Sequence, residues 1–147
     1  MPMTSDKLQI GRLAILGVGL IGGSLARALK RAGACDTIVG SGRNEKNLHK
    51  AVGLGVIDEF DMDPAAAVRD ADMIVLAVPL SATAALLKKI RGSIGGETTI
   101  TDVGSAKGCV VKAVAGNLDS DQSRRFVPGH PIAGCRPHRA HPTSADR

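Results

Sequence analysis

Aromatic residues are almost missing from this 147-residue chain: Phe60 and Phe126 stand alone, with no Trp and no Tyr. Modules that read single-stranded nucleic acid stack bases on exposed rings, so that class is excluded. Long apolar runs are also missing. None approaches the roughly 18 residues that cross a bilayer, and the mixed polar stretch 1–12 does not read as a secretory leader. Cysteine is scarce: Cys35, Cys109 and Cys135 form no CxxC pair and no His/Cys ligand spacing. A disulfide framework and a zinc site are therefore not expected. Reduced thiols and no export signal point to the cytoplasm.

Charge of one sign is not concentrated anywhere. The net charge is +5, of which residues 135–147 contribute +2 through Arg136, Arg139 and Arg147 against Asp146. The remaining +3 is spread thinly, with Lys30-Arg31, Lys88-Lys89 and Arg124-Arg125 the only basic doublets. That reads as a solvated surface with a mild preference for anionic small molecules, not as a nucleic-acid or membrane footprint. With 44% hydrophobic and 22% charged residues the chain is a globular one of single-domain size.

What is present is an alternation of short apolar strands and helical patterns. Residues 13–16 (LAIL) read as a buried strand. Ile21, Leu25, Ala28, Leu29 and Ala32 recur at helical spacing over 20–31. Residues 37–39 form a second strand, and Asn44 caps a helix that turns Leu48, Ala51 and Val52 inward and stops at Gly55. Val56-Ile57 reads as a third strand. Asp63-Pro64 opens a short helix to Asp70, with Asp as cap and Pro at the first position. Residues 73–78 are six apolar residues in a row, the mark of a strand covered on both faces. Ser81 opens a helix carrying Leu86, Leu87 and Ile90. Residues 98–101 are a β-branched strand; Val110, Val111, Val114 and Leu118 mark a helix; Phe126-Val127 is the sixth strand. Six strands separated by helices predict an α/β, doubly wound parallel sheet, in the order 3-2-1-4-5-6.

The sharpest local motif is Gly17-Val18-Gly19-Leu20-Ile21-Gly22, lying between a predicted strand and a predicted helix. This GxGxxG context is a Rossmann-like dinucleotide fingerprint. Gly17 serves the tight turn, Gly19 leaves room for a pyrophosphate, and Gly22 lets helix and strand approach. The helix N-terminus, with Leu20 and Ile21, then faces the phosphates. Ser24 either adds a phosphate donor or packs. At the end of the second strand, where NAD-preferring folds carry an acid, the chain reads Gly40-Ser41-Gly42-Arg43-Asn44. Ser41 is a neutral donor. Arg43 either pairs with a 2′-phosphate, stacks on adenine or is solvated. The cofactor is NADP or NAD, with NADP favoured. Ligands in such sheets sit beyond the carboxyl ends of the strands. That draws in Val78-Pro79 after strand four, Ser105 and Lys107 after strand five, and His130 after strand six, where a histidine can accept a hydroxyl proton.

Four segments carry a resemblance. GVGLIGGSLA (17–26), LAVPL (76–80), TDVGSAKG (101–108) and FVPGHPIAG (126–134) together resemble the prephenate/arogenate dehydrogenase family of tyrosine biosynthesis. TDVGS-x-KG followed by GHPIAG is far more specific than the glycine motif. The resemblance implies oxidative decarboxylation of prephenate or arogenate with NAD(P), with His130 taking the 4-hydroxyl proton and Ser105 holding that hydroxyl or the histidine. It implies a homodimer in the full-length form. It covers residues 12–134, and the family's helical second domain has no counterpart here. After Gly134 the family pattern gives way to Cys135-Arg136-Pro137 and a stretch without large aliphatic residues. The expected organisation is a dinucleotide-binding domain over 1–134 and a disordered tail over 135–147, a single incomplete domain with no activity expected of it alone. The alternative is a non-catalytic dinucleotide-binding regulatory module, which gives GSAKG and GHP no purpose.

Overall fold

The computed structural model of the chain describes residues 9–103 and 107–129. Six parallel strands run β1 (Ile10–Leu16), β2 (Cys35–Ser41), β3 (Glu59–Phe60), β4 (Met73–Leu76), β5 (Thr99–Asp102) and β6 (Phe126–Val127). Their order across the sheet is β3-β2-β1-β4-β5-β6, as the alternation predicts. The helices are α1 (Leu20–Arg31), α2 (Glu45–Gly53), α3 (Pro64–Ala67), α4 (Leu80–Ile90), α5 (Lys107–Asn117) and α6 (Ser120–Arg124). No helix among the described residues is long and apolar enough to cross a membrane.

Strand alternation divides the core into two layers. Leu13 and Ile15 of β1 point to the α1–α2 side, where they meet Ala26, Ile38, Leu48 and Ile57. Ala14 and Leu16 point to the other side and meet Ala67, Leu87, Ile90 and Val110. Parallel strands buried on both faces are the expected outcome of helices on each side. Each of the fully buried Leu and Ile side chains contributes about 1.5–3 kcal/mol.

Local sequence sets the helix boundaries. The Asn44 side chain accepts from Asn47 N at the start of α2, and Asp63 accepts from Ala65 N at the start of α3 with Pro64 in its first turn. Both are the predicted caps. The third strand lies three residues later than predicted. Val56 N and Ile57 N both donate to Ala51 O at the end of α2, so the ladder opens only when Asp58 N donates to Ile38 O. Strand β4 stops at Leu76 instead of 78, because the chain turns at Ala77 toward Pro79, which caps α4 and has no N–H to give a ladder. Helix α6 was not predicted; a capping box between Asp119 and Gln122 starts it, and Gln122 Nε2 donates to Arg91 O.

Helix α1 rotates away from its predicted face. Gly22 and Ala26 are its buried residues, with Leu25 and Leu29 packed beside them. Ile21 is 54% exposed, and Ala28 and Ala32 also face solvent. A glycine and an alanine at the interface bring the helix axis so close to β1 that a side chain as large as Ile21 has no room beneath it.

Asp58 ties α1 to the sheet. Its carboxylate accepts from Lys30 Nζ at 2.8 Å and from Ile38 N at 2.8 Å. Burial pushes its pKa up, but Lys30 and the Ile38 amide outweigh burial and hold the carboxyl below its ordinary 3.8. A lowered folded pKa means that the stabilisation is whole above 3.8 and fades as pH falls through the lower folded value. Asp58→Asn is therefore expected to lower Tm near neutrality, with the gap to the parent closing on acidification. Thermal melts from about pH 7 to about pH 2 check this; a gap that stays constant would refute it.

Candidate functional site

The carboxyl ends of the central strands lie level. Ser41, Leu16, Leu76 and Asp102 are register partners in one row across β2, β1, β4 and β5. The chain leaves β1 toward one side and β4 toward the other, so a crevice opens between them at the topological switch point, the usual ligand site of such sheets.

The glycine turn shapes the crevice. Gly17 has φ +101°, and a Cβ there would collide with Ala77 O. A Cβ on Gly22 would collide with Gly17 O and stand 3.2 Å from Ile15 Cγ2. Around Gly19 there is nothing within 4 Å of where a Cβ would sit. Gly17 thus makes the tight turn and Gly22 the close approach that their spacing predicts, and the space beside Gly19 is open. The first internal bond of α1 runs from Gly23 N to Gly19 O, so the amides of Leu20, Ile21 and Gly22 precede it. No side chain caps this helix and no acid occupies its first turn. Free amides and an uncompensated dipole end suit an anion. The Ser24 hydroxyl donates back to Leu20 O at 2.7 Å.

Three clefts meet at this turn. The largest, about 530 Å³, lies between the N-termini of α1 and α4; Gly19, Ile21, Val78, Pro79, Thr83 and Asp102 are among its walls. A second, about 400 Å³, lies on the β2 side and is lined by Gly17, Ser41, Arg43 and Val78 together with residues of α4. Val78 stands in both and divides them. A third, about 320 Å³, runs between α1 and α2 past Leu20, Arg27 and Lys50. Leu20, at 89% exposed, lines two of the three. Each of the nine residues expected to touch the cofactor — Gly17, Gly19, Leu20, Ile21, Gly22, Ser41, Arg43, Val78 and Pro79 — therefore lines at least one of the three clefts.

His130, Ser105 and the side chain of Lys107 lie outside the described residues. The flanks of that region are visible. Asp102 is 3% exposed, lines the largest cleft, and accepts from Gly129 N at 3.2 Å. A Cβ on Gly129 would press on Asp102 O and Thr101 Oγ1. Residue 129 is thereby seated against the end of β5. Sequence reasoning gave Asp102 no role of its own; its signal was the position at a strand terminus.

A family model described as prephenate dehydrogenase, nucleotide-binding domain, matches residues 25–144. The chain belongs to this family. The prephenate dehydrogenase of Lactococcus lactis subsp. cremoris (strain MG1363) is 39% identical over 125 residues, covering 84% of this chain and 34% of that protein. The structure of prephenate dehydrogenase from A. aeolicus in complex with hydroxyphenyl propionate and NAD+ matches with TM-score 0.76 at 34% identity, over 89% of this chain and 45% of that one. Synechocystis arogenate dehydrogenase matches with TM-score 0.73 at 29% identity, over 84% and 42% of the two chains. The chain thus spans about a third of the length of that curated relative. The family membership inferred from the four motifs holds, and with it the identity of the fold as the nucleotide-binding domain of the prephenate dehydrogenase family.

The contact at Gly22 is testable without any ligand. Gly22→Ala forces a methyl group against Gly17 O and Ile15, and should cost about 1–3 kcal/mol, as overpacking does. Thermal or denaturant unfolding measures it; an unchanged Tm would show that α1 can move away from β1 at no cost.

Proposed function

We propose that this chain is the nicotinamide-dinucleotide-binding part of a prephenate or arogenate dehydrogenase, an NAD(P)-dependent enzyme of oxidative decarboxylation. The observation that carries the reading is the uncapped, acid-free start of α1, reached through an open Gly19 at the switch point of the sheet. The fit is to a dinucleotide. The pyrophosphate lies on the amides of α1, the adenosine half in the cleft of Ser41 and Arg43, and the nicotinamide half in the larger cleft bounded by Val78 and Pro79. NADP is favoured over NAD, because the β2 end offers Ser41 and Arg43 and no acid to bond a free ribose 2′-hydroxyl.

When bound, the nicotinamide supplies the hydride acceptor. The chain's own part is proton transfer and placement. His130 takes the proton from the substrate's 4-hydroxyl as hydride leaves the carbon that bears it, carbon dioxide departs, the ring becomes aromatic, and the proton returns to the phenolate oxygen. Ser105 holds that hydroxyl or the histidine. Both assignments rest on the family resemblance of TDVGSAKG and GHPIAG. The same resemblance supports a homodimer for the full-length form, and the cysteine usage supports a cytoplasmic setting.

Two outcomes follow. Gly19→Val places an isopropyl group in the pyrophosphate path, at a position where a Cβ has nothing within 4 Å. It should abolish NADPH binding, followed by the fluorescence of the reduced nicotinamide, and leave Tm unchanged. Parent-like binding would overturn the assignment of the turn. The 147-residue polypeptide is also expected to bind cofactor yet turn over neither prephenate nor arogenate. Proximity supplies roughly 7–11 kcal/mol of a barrier only when both reactants are held, and cationic anchors for the substrate carboxylates are expected from sequence beyond the third of the relatives' length spanned here. Steady-state NADPH formation with each substrate checks this, and robust turnover would refute it.

A further inference from the structure

Helix α4 presents a stripe to the β2-side cleft. Ser81, Ala82, Ala85, Leu86 and Lys89 all line it. Their spacing of one, three, one and three is that of a single helical face. The two alanines in the middle keep this wall low, and the stripe ends in a cation. Across the cleft stand Ser41 and Arg43. None of the cleft's lining residues is an acid. Among the described residues neither Arg43 nor Lys89 has an ion-pair partner within 4 Å. Two exposed cations, on separate elements and uncompensated, thus line one concave space that also holds two serine hydroxyls. Unpaired like charges lining one cleft repel each other, and a doubly charged anion between them removes that repulsion.

We infer that Lys89 is a specificity-determining residue: a second cation for the 2′-phosphate of NADP, acting from α4 opposite Arg43. This rests on the cofactor reading above and deepens it. A 2′-phosphate carries close to two negative charges, and one arginine leaves it undercompensated. NADH, with a neutral 2′-hydroxyl, gains little from a lysine there. Lys89 therefore moves the preference between the two nucleotides and not merely the affinity for both. Its neighbour Lys88 is an internal control. It shares the last turn of α4 and the same charge but lines none of the three clefts.

The experiment titrates NADPH and NADH into the 147-residue chain and its variants Lys89→Ala, Lys88→Ala, Arg43→Ala and Lys89→Arg, at one ionic strength, with circular dichroism as the check on folding. Lys89→Ala should weaken NADPH by about tenfold, a charge-assisted contact being worth roughly that, and NADH by less than about twofold. Lys89→Arg should restore most of the loss. Lys88→Ala should change neither nucleotide by more than about twofold. Arg43→Ala should show the same sense as Lys89→Ala, with the larger loss on NADPH. Displacement by 2′,5′-ADP should weaken in Lys89→Ala while displacement by 5′-AMP does not. Equal losses for both nucleotides in Lys89→Ala would place the lysine on the adenine and overturn the inference. So would equal effects of Lys88 and Lys89, which would reduce both to a diffuse surface field, or no effect of Lys89 at all. Binding of neither nucleotide by the parent chain would instead overturn the cofactor reading itself.

Discussion

The architecture hangs on one backbone contact, where the exits of β1 and β4 pass each other. Gly17 turns with a positive φ because Ala77 O occupies the space a side chain would need. Gly17 N donates to Ser41 O and Ala77 N to Leu16 O, each at 2.8 Å. These bonds lock three strand ends into one level row. Gly22, packed on the same turn, then fixes how near α1 comes to β1. Any residue but glycine at position 17 would separate β1 from β4, and the crevice would lose its floor.

The chemistry of the crevice follows from what is kept out of it. No acid stands in the first turns of α1 and α4, and no side chain caps either helix. Two positive dipole ends consequently meet at one opening, where aligned amides favour negative charge. The exposed Leu20 and Ile21 at the same opening are not errors of burial. A helix drawn in by Gly22 and Ala26 must turn its first large aliphatics outward, and there they form apolar walls beside the anion site.

Much of this was readable from residue order, and the exceptions have physical causes. Strand order followed from alternation and right-handed crossovers, and the caps at Asn44 and Asp63 from side chains that can satisfy free amides. The tight turn at Gly17 and the close approach at Gly22 followed from spacing alone. Val56-Ile57 looked like a strand because apolar pairs look alike whether they sit in a ladder or under one; the amide bonds to Ala51 decided otherwise. Ile21 fits the helical period, but period does not reveal which face approaches when two small residues compete with two large ones. Helix α6 offered only the Asp119/Gln122 pair as a signal, too short to show periodicity. The α4 stripe was hidden because its alanines and lysine read as ordinary helix surface until β2 is placed opposite.

The position of β1 in the sheet also bears on how the site moves. Of the strand ends that carry the crevice, β1 is flanked by β2 and β4 and covered by a core layer on each face. Its amide hydrogens are expected to be among the last to exchange with solvent, and those of the two-residue strands β3 and β6 at the margins among the first. The glycine turn is the direct continuation of β1. The turn that offers its free amides to an incoming anion is therefore anchored to the most enclosed strand of the fold, and little conformational entropy is left for a ligand to remove when it settles there.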